Sequence, residues 1–134
     1  MKIAKIHTIL YVKNQEKSTA FYEKIFRRKA DLFVSGMTEF CLSQDFTLGL
    51  MPNEGIANIL KDKTPHPETG TGIPRCEMYF YVENLVDEYE ILQNIGIEMV
   101  STLSERNWGD EAFYFADLDG HIIAFAKKIN TKNE

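Results

Sequence analysis

The stretch IHTILYVKNQEKSTAFYEKIF (residues 6–26) changes its hydrophobic period at Lys13. From Ile3 to Val12 the residues alternate, with Ile6, Thr8, Leu10 and Val12 on one face and His7, Ile9 and Tyr11 on the other. That period of two predicts a strand. Lys13-Asn14-Gln15 breaks it, and Ser18 to Phe26 then predicts a short amphipathic helix with Phe21, Tyr22 and Ile25 on its apolar side. The stretch RCEMYFYVENLVDEYEILQN (residues 75–94) makes the same change a second time. Cys76, Met78, Phe80 and Val82 alternate with Glu77, Tyr79 and Tyr81. A helix is then predicted over Leu85 to Asn94, with Val86, Tyr89 and Leu92 or Gln93 as its stripe and Gly96 at its C-terminal cap.

Outward from each strand–helix pair the pattern continues alike. Ala30 to Ser35, Thr38 to Leu42 and Thr47 to Met51 are strand candidates joined by turns at Gly36 and Ser43-Gln44-Asp45. In the second half they are Ile97 to Leu103, Glu111 to Ala116 and Ile122 to Lys127, the last two joined through Asp117-Leu118-Asp119-Gly120. Pro52 to Pro74 concentrates proline and glycine and reads as a linker, with a helical patch at Ile56 to Leu60 and a mobile loop at Lys61 to Gly72. The order is βαβββ, linker, βαβββ. The expected fold class is α+β, one domain with module one at 1–52, a linker at 53–74, module two at 75–129 and a tail at 130–134. A repeat is a strong fold signal because each unit must bury a sheet face. Helices cover the outer faces, and the inner ones must meet each other or enclose something.

Composition narrows the function classes. The chain has 134 residues, 44% of them hydrophobic, and a net charge of −5 with the signs interspersed. That suits a folded domain with a core and offers no basic stripe for a nucleic acid backbone. No apolar run nears the roughly 18–20 residues that span a bilayer, and the first residues lack a signal-peptide pattern. Cys41 and Cys76 lie far apart in apolar, strand-like stretches, which predicts buried reduced thiols and a cytoplasmic protein. No phosphate-cradling glycine loop or Ser-His-Asp set appears.

The opening stretch, and the ending RNWGDEAFYFADLDGHIIAFAKK (residues 106–128), resemble the vicinal oxygen chelate superfamily of glyoxalases, bleomycin resistance proteins and extradiol dioxygenases. The likeness runs from about Lys2 to Ile129. Leu118 stands where the family's last hairpin usually has proline. The resemblance implies that the two modules form an eight-stranded, cup-shaped mixed sheet with helices outside, and that the protein is a homodimer. In metal-dependent members, inward strand residues hold a divalent ion. Those ligand positions fall here on His7, Gly49, Glu77 and Ala124, so two of the four carry no ligand group. Stable divalent sites use three or four protein ligands. The departure shifts weight to the metal-free, drug-binding members of the superfamily.

The leading expectation is therefore a binding protein with no cofactor, holding an aromatic or amine-bearing molecule, conceivably an antibiotic. Its candidate ligand-binding residues are Tyr11, Glu77, Tyr79, Tyr81, Trp108, Phe113 and Phe115. Glu77 would pair with a cation or have its pKa raised by burial, and Trp108 would stack on a flat ligand. The alternative is a lyase, isomerase or dioxygenase in which His7 and Glu77, with partners such as Glu39 or Glu105, hold zinc, nickel, manganese or iron; Glu77 is then the candidate catalytic residue. A third possibility is a scaffold working through protein contacts. His121 is expected to be exposed, and His66 to lie in a solvated loop; neither is given a role.

Overall fold

The computed structural model describes residues 1–129; the tail expected at 130–134 lies outside them. The chain forms two units, Met1–Thr71 and Gly72–Glu134. In the first, the order is β1 (Ile6–Val12), α1 (Gln15–Phe26), β2 (Leu32–Val34), β3 (Met37–Ser43) and β4 (Phe46–Pro52). The strands lie in the order β1-β4-β3-β2, with β1 parallel to β4 and the other pairs antiparallel. A parallel pair needs a long crossover, which α1 and the β2–β3 hairpin supply.

Period two divides this sheet as the sequence predicts. Leu10 and Val12 are buried beside Phe40, Leu48 and Leu50, under Tyr22 and Ile25 of α1. Asn14 starts α1 by accepting from the Lys17 N–H, which satisfies one of the donors a helix N-terminus leaves unpaired. Gln15, predicted to lie before the helix, belongs to its first turn. Its Nε2 donates to Val34 O and Thr38 Oγ1, and its Oε1 accepts from Gly36 N. One side chain thus fixes the β2–β3 hairpin to the helix.

The segment expected to be a linker is folded. Helix α2 (Asn53–Leu60) follows β4 directly, and two 3₁₀ turns, Lys61–Lys63 and Pro67–Gly70, occupy most of the predicted loop. His66 ties the second turn down: its Nε2 lies 2.9 Å from Glu54 Oε1, and its Nδ1 accepts from Glu68 N. Residues 61–65 before it are exposed, as expected of this loop, while His66 itself is half-buried.

The second unit repeats the plan: β5 (Glu77–Tyr81), α3 (Leu85–Asn94), β6 (Met99–Glu105), β7 (Asp110–Ala116) and β8 (Ile122–Lys128), in sheet order β5-β8-β7-β6 with β5 parallel to β8. The chain is thus α+β, and its described residues form two four-stranded mixed sheets and three α-helices. On α3, Leu85 and Leu92 are buried, Tyr89 between them at i+4 is half-buried against Phe113, and Val86 is 48% exposed. Tyr89 and Leu92 belong to the stripe as predicted, and Leu85 takes the place expected for Val86. At the β7–β8 turn, Asp117 Oδ1 accepts from Asp119 N and His121 N, which organises a loop that lacks proline. Gly72 N donates to Asp119 O at 2.9 Å, and a Cβ on Gly120 (φ +89°) would lie 2.8 Å from Gly72 Cα.

Two further expectations are corrected. Cys41 and Cys76 are free but exposed, because Cys41 falls opposite Phe40 on β3 and Cys76 precedes β5. Phe113 and Phe115, expected to line a ligand wall, are fully buried on the helix side. Phe113 packs 5.0 Å from Tyr89 and 5.5 Å from Phe125. Among the described residues no helix is long and apolar enough to cross a membrane.

This packing sets a contrast measurable by urea denaturation. Phe113→Ala should destabilise the protein by about 3–5 kcal/mol, through lost burial and the cavity left behind. Val86→Ala should stay within about 0.5 kcal/mol. Equal effects would show that α3 is seated on a different stripe.

Candidate functional site

On the helix-free face of the second sheet, register sets three strands side by side. Tyr79 pairs with Ala124, which pairs with Tyr114; Tyr81 pairs with Ala126, which pairs with Ala112; Asp110 pairs with Lys128. Small residues on the middle strand leave the aromatic rings of its neighbours to form the surface. Tyr79 and Tyr81 meet edge to face with ring centres 5.4 Å apart.

Both tyrosines converge on one carboxylate. Tyr79 Oη donates to Asp110 Oδ2 at 2.8 Å and Tyr81 Oη donates to the same oxygen at 2.7 Å. Trp108 Nε1 in turn donates to Tyr79 Oη at 2.9 Å. Lys128 Nζ lies 3.4 Å from Tyr81 Oη and 4.8 Å from the centre of its ring. Asp110 is 1% exposed, whereas Trp108 and Tyr81 are 58% and 55% exposed. The arrangement is a buried anion capped by donors, with two exposed aromatic side chains above it.

Electrostatics follow from that geometry. Desolvation pushes the Asp110 carboxyl up, but hydrogen bonds from Tyr81 and Tyr79, the Lys128 charge and the Trp108 N–H outweigh it and hold it below its ordinary value. Burial, helped by Asp110 and opposed by the Trp108 N–H, pushes Tyr79 up to about 12. Tyr79 therefore remains a neutral donor throughout the physiological range. Tyr114 is also raised, by burial first and then by the charge of Glu77. Arg106 lies over the Tyr114 ring at 5.1 Å, and its Nη2 donates to Ser101 Oγ, Thr102 O and Ala112 O. Among the described residues its buried Nε has no hydrogen-bond partner.

The structure thus brings together Tyr79, Tyr81 and Trp108 from the predicted set, with Glu77 on the same face. Glu77 is exposed, so it carries none of the burial cost that sequence reasoning assigned to it. Phe113 and Phe115 are excluded by their place behind the sheet. Tyr11 lies on the helix-free face of the first sheet, 39% exposed, with His7 and Ile9. Asp110, Lys128 and Arg106 were missed. Asp110 shares the β7 alternation with Ala112 and Tyr114, but only the pairing with β8 reveals that it lies beside Tyr81.

The residues present fit a divalent metal poorly within either unit. In the first, His7 Nδ1 comes within 3.9 Å of Glu39 Oε2, which makes two ligand groups on one wall. The third position is Gly49, where an added Cβ would lie 3.0 Å from Ile9 Cγ1 and 3.3 Å from Met37 Sδ. In the second, Ala124 lies between two tyrosines, and Glu105 pairs in register with Glu111 rather than near Glu77. Among the described residues, the cluster of three ligand-type side chains with ligand atoms within 4.8 Å of one another is Asp117, Asp119 and His121. There, both Asp117 oxygens already hold the turn, Oδ2 facing His121 Nδ1 at 2.8 Å.

A family model described as a glyoxalase-like domain matches residues 5–130. Among solved structures the chain is similar to a glyoxalase/bleomycin resistance protein/dioxygenase from Nocardioides, with a TM-score of 0.77 and 19% identity over 97% of this chain and 85% of that one. It is similar to a lactoylglutathione lyase from Agrobacterium tumefaciens, with a TM-score of 0.72 and 15% identity over 95% of each chain. A protein from the mobile metagenome of V. Pseudocholerae shares 26% identity, with a TM-score of 0.68 over 97% of this chain and 98% of that one. At 19% and 15% identity the first two likenesses show the fold alone. No curated protein sequence matches significantly.

His121, expected to be exposed, is half-buried. Desolvation pushes its pKa down, but the hydrogen bond and charge of Asp117, then the charge of Asp119, more than offset this and raise it above 6.5. A raised folded-state pKa adds stability below the unfolded value of about 6.5, and that stability is lost as pH rises through the folded value. NMR titration of the imidazole protons should find His121 above its ordinary value. Asp117→Asn should bring it below, because desolvation then acts with far less opposition. Thermal melts should show the gap between wild type and His121→Gln shrinking from mildly acid to mildly alkaline pH.

Proposed function

Because the chain belongs to the glyoxalase-like domain family, within the vicinal oxygen chelate superfamily, we propose that it is a binding protein for a small aromatic or amine-bearing molecule. The helix-free face of β5, β7 and β8 is its recognition surface. The observation that carries this reading is the Asp110 carboxylate, buried beneath Tyr79, Tyr81 and Trp108 and tied to them by hydrogen bonds. Exposed aromatic surface gives a flat ligand area to cover. The carboxylate network locks Tyr79 and Trp108 in place, so little ordering remains to oppose binding. Glu77, exposed on the same face, supplies a second negative charge.

The rival reading is a metal-dependent lyase, isomerase or dioxygenase, which the approach of His7 to Glu39 favours. Binding without catalysis agrees better with Gly49, where an added Cβ would meet Ile9 Cγ1 and Met37 Sδ, and with Ala124, which lies between two tyrosines, since neither offers a ligand group.

Calorimetric or NMR titration of an aromatic ammonium fragment distinguishes the two. Trp108→Ala should weaken binding about tenfold, from a ring contact worth about 0.5–1.5 kcal/mol beyond area burial. EDTA should leave the affinity unchanged. Loss of binding on chelation, restored by zinc, nickel, manganese or iron, would overturn the binding-protein reading in favour of the metalloenzyme.

A further inference from the structure

We propose that Arg106, Ser101 and Tyr114 form an anion seat on the β6–β7 side of this face, and that it takes a carboxylate group of the ligand. The inference rests on the reading of this face as a ligand surface and names the chemistry of one subsite. The ligand class is an aromatic monocarboxylate: a flat body against Trp108 and a carboxylate at Arg106. Only the small Ala124 separates Tyr114 from Tyr79, the residue that holds Trp108, so one small molecule can span both.

The seat is rich in donors and lacks acceptors. Ser101 pairs in register with Tyr114, so the two side chains stand together on neighbouring strands. Arg106 lies over the Tyr114 ring at 5.1 Å and donates to Ser101 Oγ at 3.1 Å. A guanidinium carries five N–H donors. In Arg106 the pair on Nη2 serves Ser101 Oγ, Thr102 O and Ala112 O. Among the described residues the Nη1 donors have no acceptor, and neither has the buried Nε–H. Ser101 accepts from Arg106 and keeps its own hydroxyl proton to give. The Tyr114 hydroxyl likewise has no hydrogen-bond partner among the described residues. Donors left without acceptors on one wall are what the lone pairs of a carboxylate satisfy.

The guanidinium is also fixed in place. Two backbone carbonyls hold Nη2, and the Tyr114 ring lies beneath the group. A ligand therefore meets a fork already oriented, and little ordering opposes binding. Burial first, and then the charge of Glu77, raises the Tyr114 pKa, so its hydroxyl keeps the proton it would donate. The surroundings favour a single negative charge. The cost of stripping water from an anion grows with the square of its charge, whereas attraction to one guanidinium grows only in proportion. Glu77 and Asp110, negative on the same face, add repulsion that a phosphate dianion feels more than a carboxylate does.

The experiment uses the full chain and two probes of like shape, 3-phenylpropionate and neutral 3-phenylpropanamide, with phenyl phosphate as the dianion. Binding is followed by fluorescence of Trp108, the one tryptophan in the sequence, and by NMR line broadening of the probes. Melting by circular dichroism checks that Arg106→Gln and Tyr114→Phe remain folded. Tyr114→Phe keeps the ring beneath the guanidinium, so it tests the seat even where Arg106→Gln disturbs the carbonyls that Arg106 holds. Wild type should prefer 3-phenylpropionate to the amide and to phenyl phosphate. Each variant should weaken 3-phenylpropionate about tenfold, the worth of a hydrogen bond to a charged group, and the amide much less. Equal losses for the two probes in both variants would mean that these residues act only through the fold, and would overturn the proposal. Tighter binding of phenyl phosphate than of 3-phenylpropionate would overturn the carboxylate assignment. If the amide binds as well as 3-phenylpropionate in every protein, the seat falls and the ligand surface stands. The same holds if neither probe binds wild type while an aromatic ammonium fragment does; if none of them binds, both fall.

Discussion

In each sheet the first and last strands of the chain order lie side by side and run the same way, β1 with β4 and β5 with β8. Parallel neighbours cannot be joined by a tight turn, so a helix and a hairpin must intervene. That constraint sends α1 and α3 to one face of each sheet and assigns the other face a different task. The helix side takes the apolar residues, with Phe40, Leu48 and Leu50 in the first unit and Phe113, Phe115 and Phe125 in the second. The helix-free side carries the ionisable and phenolic groups, His7 and Glu39 in one and Tyr79, Tyr81 and Asp110 in the other. Topology therefore decides where chemistry is possible before any particular residue does.

Most of the architecture is legible in local signals. Alternation from Ile6 to Val12 and from Glu77 to Tyr81 is a property of adjacent residues, and so is the switch to helical spacing after Lys13. Pairing is not local. Phe113 and Phe115 alternate with Tyr114 as strand residues should, but nothing within β7 says which set shares a face with Tyr79. The register Tyr79, Ala124, Tyr114 decides it, across three strands and 45 residue positions of chain between Tyr79 and Ala124. Asp110 was hidden for the same reason. Its importance lies in accepting from two tyrosines far away in sequence, while its own neighbours, Gly109 and Glu111, suggest only a strand beginning.

The same distinction explains the smaller differences. Cys41 sits among apolar neighbours, yet a strand buries one side only, and Cys41 falls on the other side from Phe40. His66 and His121 follow turn-forming residues and read as exposed, until Glu54 and Asp117 are brought to them by the fold. In each case a hydrogen-bonding contact at 2.9 or 2.8 Å gives the histidine a structural task that composition could not reveal.

The contact between Gly72 and Gly120 bears on how the chain can be cut and lengthened. Gly72 stands 48 positions before Gly120, outside every strand and helix, yet its backbone seals the β7–β8 turn through Asp119. A separately expressed second half therefore has to start at or before Gly72, because one beginning at Glu77 would have every strand and still lack the clasp on its last hairpin. Inserted residues belong in the Thr64–Pro65 stretch between the two 3₁₀ turns, where backbone is exposed. At Thr71–Ile73 the same insertion would pull the clasp out of reach. The boundary between the halves is thus narrower than the proline-rich run around it suggests.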